Sequence, residues 1–305
     1  MTAIVVGHKN PDTDSVAAAI AAADLMSKRG VPARPYVQGK IPPETVFVLE
    51  TFAVTAPELL GPLAGQKVIL VDHSDRNQAP ADLDQAELLG IFDHHKLGDI
   101  TTSSPLFFHA LPVGCSCTVI KQCYDFHGVA IPRNIAGVML CAILSDTLIF
   151  KSPTTTDDDK KAVKELAALA GVEDYAALGM KMFVVKSDVS GVPGRELLFR
   201  DYKDFEMGGN KVGVGQLEVV DIKLLDEARP ELHIALQEAK AEGRHTIMLL
   251  LTDIMLEGSE LLYLTDDPAL PEKVFGVKPG AGPLWLPGIM SRKKDVVPKL
   301  GAAFK

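Results

Sequence analysis

The feature that most constrains this chain is a recurring one: short, unbroken apolar runs that each stop at an acid or a histidine. Ala3-Ile4-Val5-Val6 stops at Gly7-His8, Lys67-Val68-Ile69-Leu70-Val71 at Asp72, and Leu88-Leu89-Gly90-Ile91-Phe92 at Asp93-His94-His95. Continuous rather than alternating apolar residues describe strands covered on both faces, the condition of a parallel sheet. Between the runs lie stretches of helical composition: the alanine-rich 16–26, opened by Ser15 and closed by Gly30, then 44–54, 115–127, 132–145 and 157–170. A further strand near 34–37 fits the same rhythm. The expected fold is α/β, a parallel-sheet N-terminal domain with helices on both faces, and in such sheets the loops at the carboxyl ends of the strands converge on the ligand site.

The pattern breaks at Ser187-Asp188-Val189-Ser190-Gly191-Val192-Pro193-Gly194, a stretch of linker composition. A chain of 305 residues also exceeds one comfortable core. The expected organisation is a metal-binding catalytic domain over 1–187, a flexible linker over 188–194, and a smaller mixed-sheet α/β domain over 195–305. In this last part we expect a turn at Gly208-Gly209-Asn210, a strand over 211–220, one long helix over 222–242 that contains Pro230, and strands over 246–252 and 261–265. The basic Ser291-Arg292-Lys293-Lys294-Asp295 follows, at an expected change from strand to helix. Gly213-Val214-Gly215 and Gly280-Ala281-Gly282-Pro283 lack the residues of a dinucleotide or phosphate loop and read as strand and loop.

The polar residues at the ends of the apolar elements carry the chemistry. His8, Asp12 and Asp14 follow the first run within one loop; if that loop is extended, residues 12 and 14 face the same way. The same Asn-Pro and Asp-Thr-Asp residues also suit a turn with a helix cap. Asp146 follows the very apolar Val138-Met139-Leu140-Cys141-Ala142-Ile143-Leu144-Ser145, where an unpaired carboxylate is expensive and calls for a cation. Asp93-His94-His95 alone could be polar punctuation after a strand. Together, the acids and histidines at the ends of separate apolar elements make a metal site the stronger reading. Asp12, Asp14, Asp72 and Asp146 bring four negative charges while His8 and His94 donate as neutral imidazoles, a balance suited to two divalent cations. Mixed carboxylate and imidazole donors suit Mn²⁺ or Co²⁺ better than Mg²⁺, and a pair of ions about 3.5–4 Å apart activates hydroxide for displacement at phosphorus.

The net charge of −9 argues against a dedicated duplex-DNA binder, so an anionic substrate needs local cations. Arg292 and Lys293 supply them, although a solvated basic tail is the plainer reading of that motif, and Lys203 alone reads as a surface lysine. No apolar run is long enough to cross a bilayer, and Met1-Thr2 leads straight into the first strand without a targeting leader, so a soluble, cytoplasmic protein is expected. Cys115, Cys117, Cys123 and Cys141 match no usual zinc spacing and are expected to be buried thiols.

Gly7-His8-Lys9-Asn10-Pro11-Asp12-Thr13-Asp14-Ser15, Val71-Asp72-His73-Ser74-Asp75, Asp93-His94-His95, Ser145-Asp146-Thr147 and Ser291-Arg292-Lys293-Lys294 together resemble the motifs of the family II, manganese-dependent inorganic pyrophosphatases of the DHH phosphoesterase superfamily. They stand in the family's order and span nearly the whole chain. The basic motif discriminates, because nucleic-acid-cutting DHH relatives carry a different C-terminal domain.

The resemblance implies a DHH domain followed by a DHHA2-type domain, and hydrolysis of pyrophosphate by a metal-bridging hydroxide in a cleft between them. His8, Asp12, Asp72 and Asp146 would hold one Mn²⁺ and Asp14, Asp72, His94 and Asp146 the other, with Co²⁺ as a substitute and an additional Mg²⁺ or Mn²⁺ arriving with the substrate. His95, Lys203, Arg292 and Lys293 would meet pyrophosphate, and Asp93 would orient an imidazole. A homodimer that takes neither nucleic acid nor membrane as partner is implied too. Asp295 departs from the family's usual Gln, and the spacing from Asp72 to Asp93 leaves no room for a regulatory nucleotide-binding insert. A short-chain exopolyphosphatase and a silent metal- or phosphate-binding regulator are the alternatives.

Overall fold

The computed structural model describes residues 2–278 and 283–304. Gly280, Ala281 and Gly282 lie outside these described residues. The chain divides between Val185 and Lys186 into two compact units, two residues before the boundary expected from composition.

In the first unit the apolar runs become β1 (Ala3–Val6), β2 (Ala33–Val37), β3 (Glu58–Leu59), β4 (Lys67–Val71), β5 (Glu87–Asp93) and β6 (Phe107–Ala110). They form one parallel sheet in the order β3-β2-β1-β4-β5-β6. The chain winds one way from β1 to β3 and the other way from β4 to β6, so the order reverses between β1 and β4. A crevice at the carboxyl ends of these two strands is where such sheets bind ligands.

The helices of this unit are α1 (Thr13–Lys28), α2 (Pro43–Thr51), α3 (Ser116–Phe126), α4 (Arg133–Asp146), α5 (Asp157–Ala170) and α6 (Tyr175–Lys186). Strand alternation sends Val5, Ile69 and Val71 into a cluster with residues of α1, α3, α4 and α5, while Val6, Val68 and Leu70 face Leu63, Ala79 and Leu83. The second face is thus covered by connecting segments and the single 3₁₀ turn Leu83–Gln85 rather than by an α-helix. Small side chains explain how close α1 lies to its neighbours: Ala17, Ala18, Ala19, Ala21, Ala22 and Ala23 are all buried. From Val138 to Leu144, α4 is fully buried, and each such aliphatic side chain contributes about 1.5–3 kcal/mol on leaving water. That burial fixes the end of α4, and with it Asp146.

The second unit holds α7 (Gly194–Phe199), β7 (Tyr202–Met207), β8 (Asn210–Val219), α8 (Arg229–Ala241), β9 (Thr246–Asp253), β10 (Gly258–Thr265), α9 (Leu270–Phe275), β11 (Leu284–Pro287) and α10 (Val297–Ala303). Its sheet runs β11-β10-β9-β8-β7 and is mixed, since β8 pairs with β9 in parallel and the remaining pairs are antiparallel. Apolar residues of α7 and α8 pack on one face, and those of α9 and α10 on the other. The expected long helix over 222–242 is instead a 3₁₀ turn, Ile222–Leu225, and a separate α8. Pro230 stands in the first turn of α8, where its missing N–H costs nothing; inside a longer helix it would have removed a hydrogen bond and clashed with the preceding turn. The stretch expected to be a free linker has Val189 buried in the second unit's core and Ser187 Oγ accepting from Val220 N at 3.3 Å.

Candidate metal centre

β1 delivers His8 and β4 delivers Asp72, one on each side of the reversal point. The loop after β1 is not extended through residue 14, as one sequence reading had it, because the helix begins at Thr13. Asp12 is its N-cap: Oδ1 accepts from Ser15 N at 2.9 Å, and Ser15 Oγ accepts from Asp12 N at 3.1 Å. The cap uses one carboxylate oxygen and leaves Oδ2 3.3 Å from His8 Nε2. Asp14 lies in the first turn of α1, fully buried, so residues 12 and 14 reach the site by helix geometry rather than by strand alternation.

Asp14 is gripped by the start of α3. Its carboxylate accepts from Ser116 N at 2.6 Å, Cys117 N at 3.1 Å and the Cys115 thiol at 2.9 Å. Burial pushes the Cys115 and Cys117 thiols up, in keeping with the S–H that Cys115 donates to Asp14. All the cysteines are free and buried, as expected.

Asp72 is the hub. It is buried, with a φ of +63°, a left-handed conformation that costs a non-glycine residue roughly 1–2 kcal/mol. Its Oδ2 lies 3.3 Å from His8 Nε2, and its Oδ1 lies 3.4 Å from His94 Nε2, 3.6 Å from His95 Nδ1 and 2.9 Å from the Ser116 hydroxyl that donates to it. The run Leu148, Ile149 and Phe150 just after Asp146 is also left-handed, so positive φ flanks this second acid as well.

The triplet at the end of β5 divides its labour. Asp93 is fully buried, and its Oδ1 accepts from the backbone N–H of His94 and of His95 and from His95 Nδ1, at 2.9, 3.0 and 3.0 Å. His94 turns the other way. Its Nδ1 donates to the Val113 carbonyl at 3.0 Å, so Nε2 faces Asp72 and Asp146, carrying a proton in the metal-free site and able to bind a cation once that proton leaves. His95 is half exposed.

Potential donor atoms of His8, Asp12 and Asp72 lie within 4.8 Å of one another, as do those of Asp14, His94 and Asp146 and those of Asp72, His94 and His95. Charge tests whether cations fit here. Burial, then the neighbouring carboxylates, pushes Asp14 up to about 7 and Asp146 well above the usual carboxylate range. Burial opposes charge on His8 and His94, but hydrogen bonds to Asp12 and Asp72 outweigh it and raise them to about 10 and about 9. Burial also works against ionised Asp72, yet the His8 and His94 contacts hold it below the usual range. Asp146 closes α4, where the helix dipole itself disfavours a carboxylate. Protons thus partly neutralise a cluster that divalent ions would neutralise better, and the donor set fits them.

Several supporting residues carry no motif. Glu44 at the start of α2 accepts from the Thr13 hydroxyl at 3.0 Å and the Ser145 hydroxyl at 2.9 Å, tying the turn that bears Asp12 and Asp14 to the end of α4. Asp159 accepts from Gly114 N at 2.9 Å and Thr118 Oγ1 at 2.6 Å, and from Thr156 through the capping box of α5. It therefore anchors the loop that serves both His94 and Asp14. A Gly-Cys-Ser helix start and a Thr-x-x-Asp box were the available signals.

The expected substrate cations all lie in the second unit. Lys203 and Lys293 are exposed, and Lys203 Nζ stands 5.6 Å from the Phe205 ring centre. Arg292, by contrast, is buried in a one-turn π-helix, Arg292–Val296, with Nη2 donating to Asp201 Oδ1 at 2.6 Å and Nη1 to the Val214 carbonyl at 3.1 Å. Asp295 accepts from Met290 N and Ser291 N at 3.0 and 2.8 Å, so the residue that departs from the family pattern braces its own loop.

A mixed-sheet domain after a parallel sheet whose strand ends gather acids and histidines defines a class, the DHH–DHHA2 proteins. The profile of the DHH family, N-terminal domain, matches residues 2–143, and that of the DHHA2 domain matches 180–303. A probable manganese-dependent inorganic pyrophosphatase of Archaeoglobus fulgidus is 49% identical over 98% of this chain and 97% of its own length. The manganese-dependent inorganic pyrophosphatase of Methanocaldococcus jannaschii is 43% identical over 98% of each. A crystal structure from Methanococcus jannaschii, assigned to family II inorganic pyrophosphatase, superposes with a TM-score of 0.66 at 42% identity, covering 99% of both chains. The chain belongs to the family of manganese-dependent inorganic pyrophosphatases.

Proposed function

We propose that this chain hydrolyses pyrophosphate to two phosphates at a dinuclear manganese centre. The observation that carries this reading is that donor atoms of His8, Asp12 and Asp72, and those of Asp14, His94 and Asp146, gather within 4.8 Å of one another in two groups, with His94 Nε2 3.4 Å from Asp72. Asp72 and Asp146 are the proposed bridging ligands, with His8 and Asp12 on one ion and Asp14 and His94 on the other. Two bound Mn²⁺ would supply Lewis acidity toward a phosphoryl oxygen and a bridging hydroxide as the attacking group.

The chain's own residues do the rest. Asp93 fixes the His95 ring so that its exposed edge meets a phosphate, and Lys203, Lys293 and Arg292 neutralise the substrate. Motion at segment 187–194 is proposed to bring those cations to the substrate. Co²⁺ replaces Mn²⁺ in this reading, and an additional Mg²⁺ or Mn²⁺ arrives with the substrate. Free buried thiols fit a cytoplasmic setting. Exposed Phe108 on edge strand β6 and Leu111 beyond it favour a homodimer.

Phosphate release from pyrophosphate, measured in parallel with Mn²⁺, Co²⁺ and Mg²⁺ and against tri- and tetrapolyphosphate, tests the proposal. Fastest turnover of pyrophosphate with Mn²⁺ or Co²⁺ is expected. Preference for the longer chains would make the protein an exopolyphosphatase instead, and tight Mn²⁺ binding without release would make it a silent binder.

A further inference from the structure

Arg292 is arranged oddly for a substrate-binding arginine. Only 6% of its surface is exposed, its backbone N–H is held by Gln216 Oε1 at 2.9 Å, and one guanidinium nitrogen is fastened to the Val214 carbonyl. Asp201 Oδ1 takes Nη2, yet Nε on the same edge is buried without a hydrogen-bond partner. The Nε–Nη2 edge is the one that grips a carboxylate or phosphate through two parallel bonds, and here only half of it is used. A buried N–H left idle is costly, so the arrangement is unfinished rather than optimal.

Asp201 is the opposite kind of residue. Its side chain is 59% exposed, it borders a cavity of about 230 Å³, and it reaches Arg292 through a single oxygen. Water can replace Arg292 at the exposed carboxylate, whereas the buried guanidinium releases Asp201 cheaply only when another anion takes its place. Arg292 also lies in the π-turn Arg292–Val296, a rare form of helix found frequently at functional sites.

We propose that Asp201 is a positioning residue that latches Arg292 in a resting state, and that a phosphate group of the substrate displaces it by taking the Nε–Nη2 edge with two bonds. This rests on the reading of Arg292 as a pyrophosphate contact. Asp201 then sets substrate affinity: the carboxylate competes with the phosphate for one guanidinium and holds the cation ready without letting it collapse onto other acids.

The test uses the full-length, Mn²⁺-loaded protein as wild type, Asp201→Asn and Asp201→Glu. Modification of Arg292 by phenylglyoxal, followed by peptide mass spectrometry with and without inorganic phosphate, reads the latch without turnover; kcat and KM for pyrophosphate read its effect. Asp201→Asn is expected to speed modification and lower KM by about two- to fivefold each, with kcat unchanged and phosphate protecting Arg292. Asp201→Glu, which keeps the charge, is expected to stay near wild type. Unchanged or slower modification in Asp201→Asn, or a raised KM, overturns the latch and makes Asp201 a residue that orients Arg292 for the substrate. If no variant, wild type included, releases phosphate from pyrophosphate, the proposed activity fails while the modification arm still decides the latch.

Discussion

At the scale of single residues, the site works by crowding acids until something positive must join them. Asp146 is the clearest case, a carboxylate at the C-terminal end of a buried helix beside Asp14. Asp146→Asn keeps the shape and removes the charge. Its Mn²⁺ affinity, measured by calorimetry, is expected to fall by at least about 100-fold, the upper range for disturbing even an outlying partner of a metal ligand, and turnover should vanish with it. Full Mn²⁺ affinity in that variant would remove Asp146 from the ligand set. The protons held by the metal-free site give a second prediction. A histidine raised in the fold stabilises it fully below the ordinary value of 6.5 and loses that contribution as pH climbs through the raised value, about 9 for His94 and about 10 for His8. Asp14, raised to about 7, acts with the same sign over a lower window, its contribution fading as pH climbs from the ordinary carboxylate value to about 7. The chelated protein should therefore lose thermal stability between pH 6.5 and 10, whereas Mn²⁺, by replacing those protons, should flatten the curve and bind more tightly as pH rises. A melting temperature that rises with pH in chelator would contradict this electrostatic account. The acids and histidines were legible because each ends an apolar run. Glu44, Ser116 and Asp159 were not, because they are common polar residues whose partners lie far away in sequence.

At the scale of elements, long buried segments could be read and short or edge ones could not. α4 announces itself by its apolar composition and α5 by its capping box. β3 has two exposed residues, and β6 is a four-residue edge strand with partly and fully exposed positions, so neither shows the unbroken apolar run that marks a central strand. Pro230 was visible, but its placement at a helix start rather than inside one depends on the turn before it. Elements also explain why the ligands hold their geometry: α5 caps itself with Asp159, and that same carboxylate anchors the start of α3. Asp159→Ala leaves several buried donors without an acceptor, at a cost of about 3–5 kcal/mol in urea unfolding. It should also weaken Mn²⁺ binding by roughly 10–100-fold, because His94 and Asp14 depend on the freed loop. Asp159→Asn, which keeps an acceptor, should lose less on both counts. Equal losses in the two variants would mean that volume, not hydrogen bonding, sets the loop.

At the scale of the whole molecule, the proposed reaction divides between two units. All the proposed metal ligands belong to the first unit, Met1–Val185, and Lys203, Arg292 and Lys293 to the second, Lys186–Lys305. The sequence made this division readable through a change from acid-ended apolar runs to a basic motif, whereas the burial of Arg292 depends on the Val214 carbonyl of β8, the Asp201 side chain before β7 and the π-turn meeting in three dimensions. The division has a sharp consequence. Arg292→Ala removes no metal donor and should bind Mn²⁺ as wild type does, while losing a charge-assisted contact to phosphate of about 1.5–3 kcal/mol, or roughly 10- to 150-fold in kcat/KM for pyrophosphate. Calorimetry with Mn²⁺ and steady-state kinetics on the same preparation read the two halves side by side. Loss of Mn²⁺ along with turnover would mean that the second unit helps to build the metal centre. Intact kcat/KM would mean that the guanidinium stays with Asp201 throughout, leaving the exposed Lys203 and Lys293 to carry the substrate's charge.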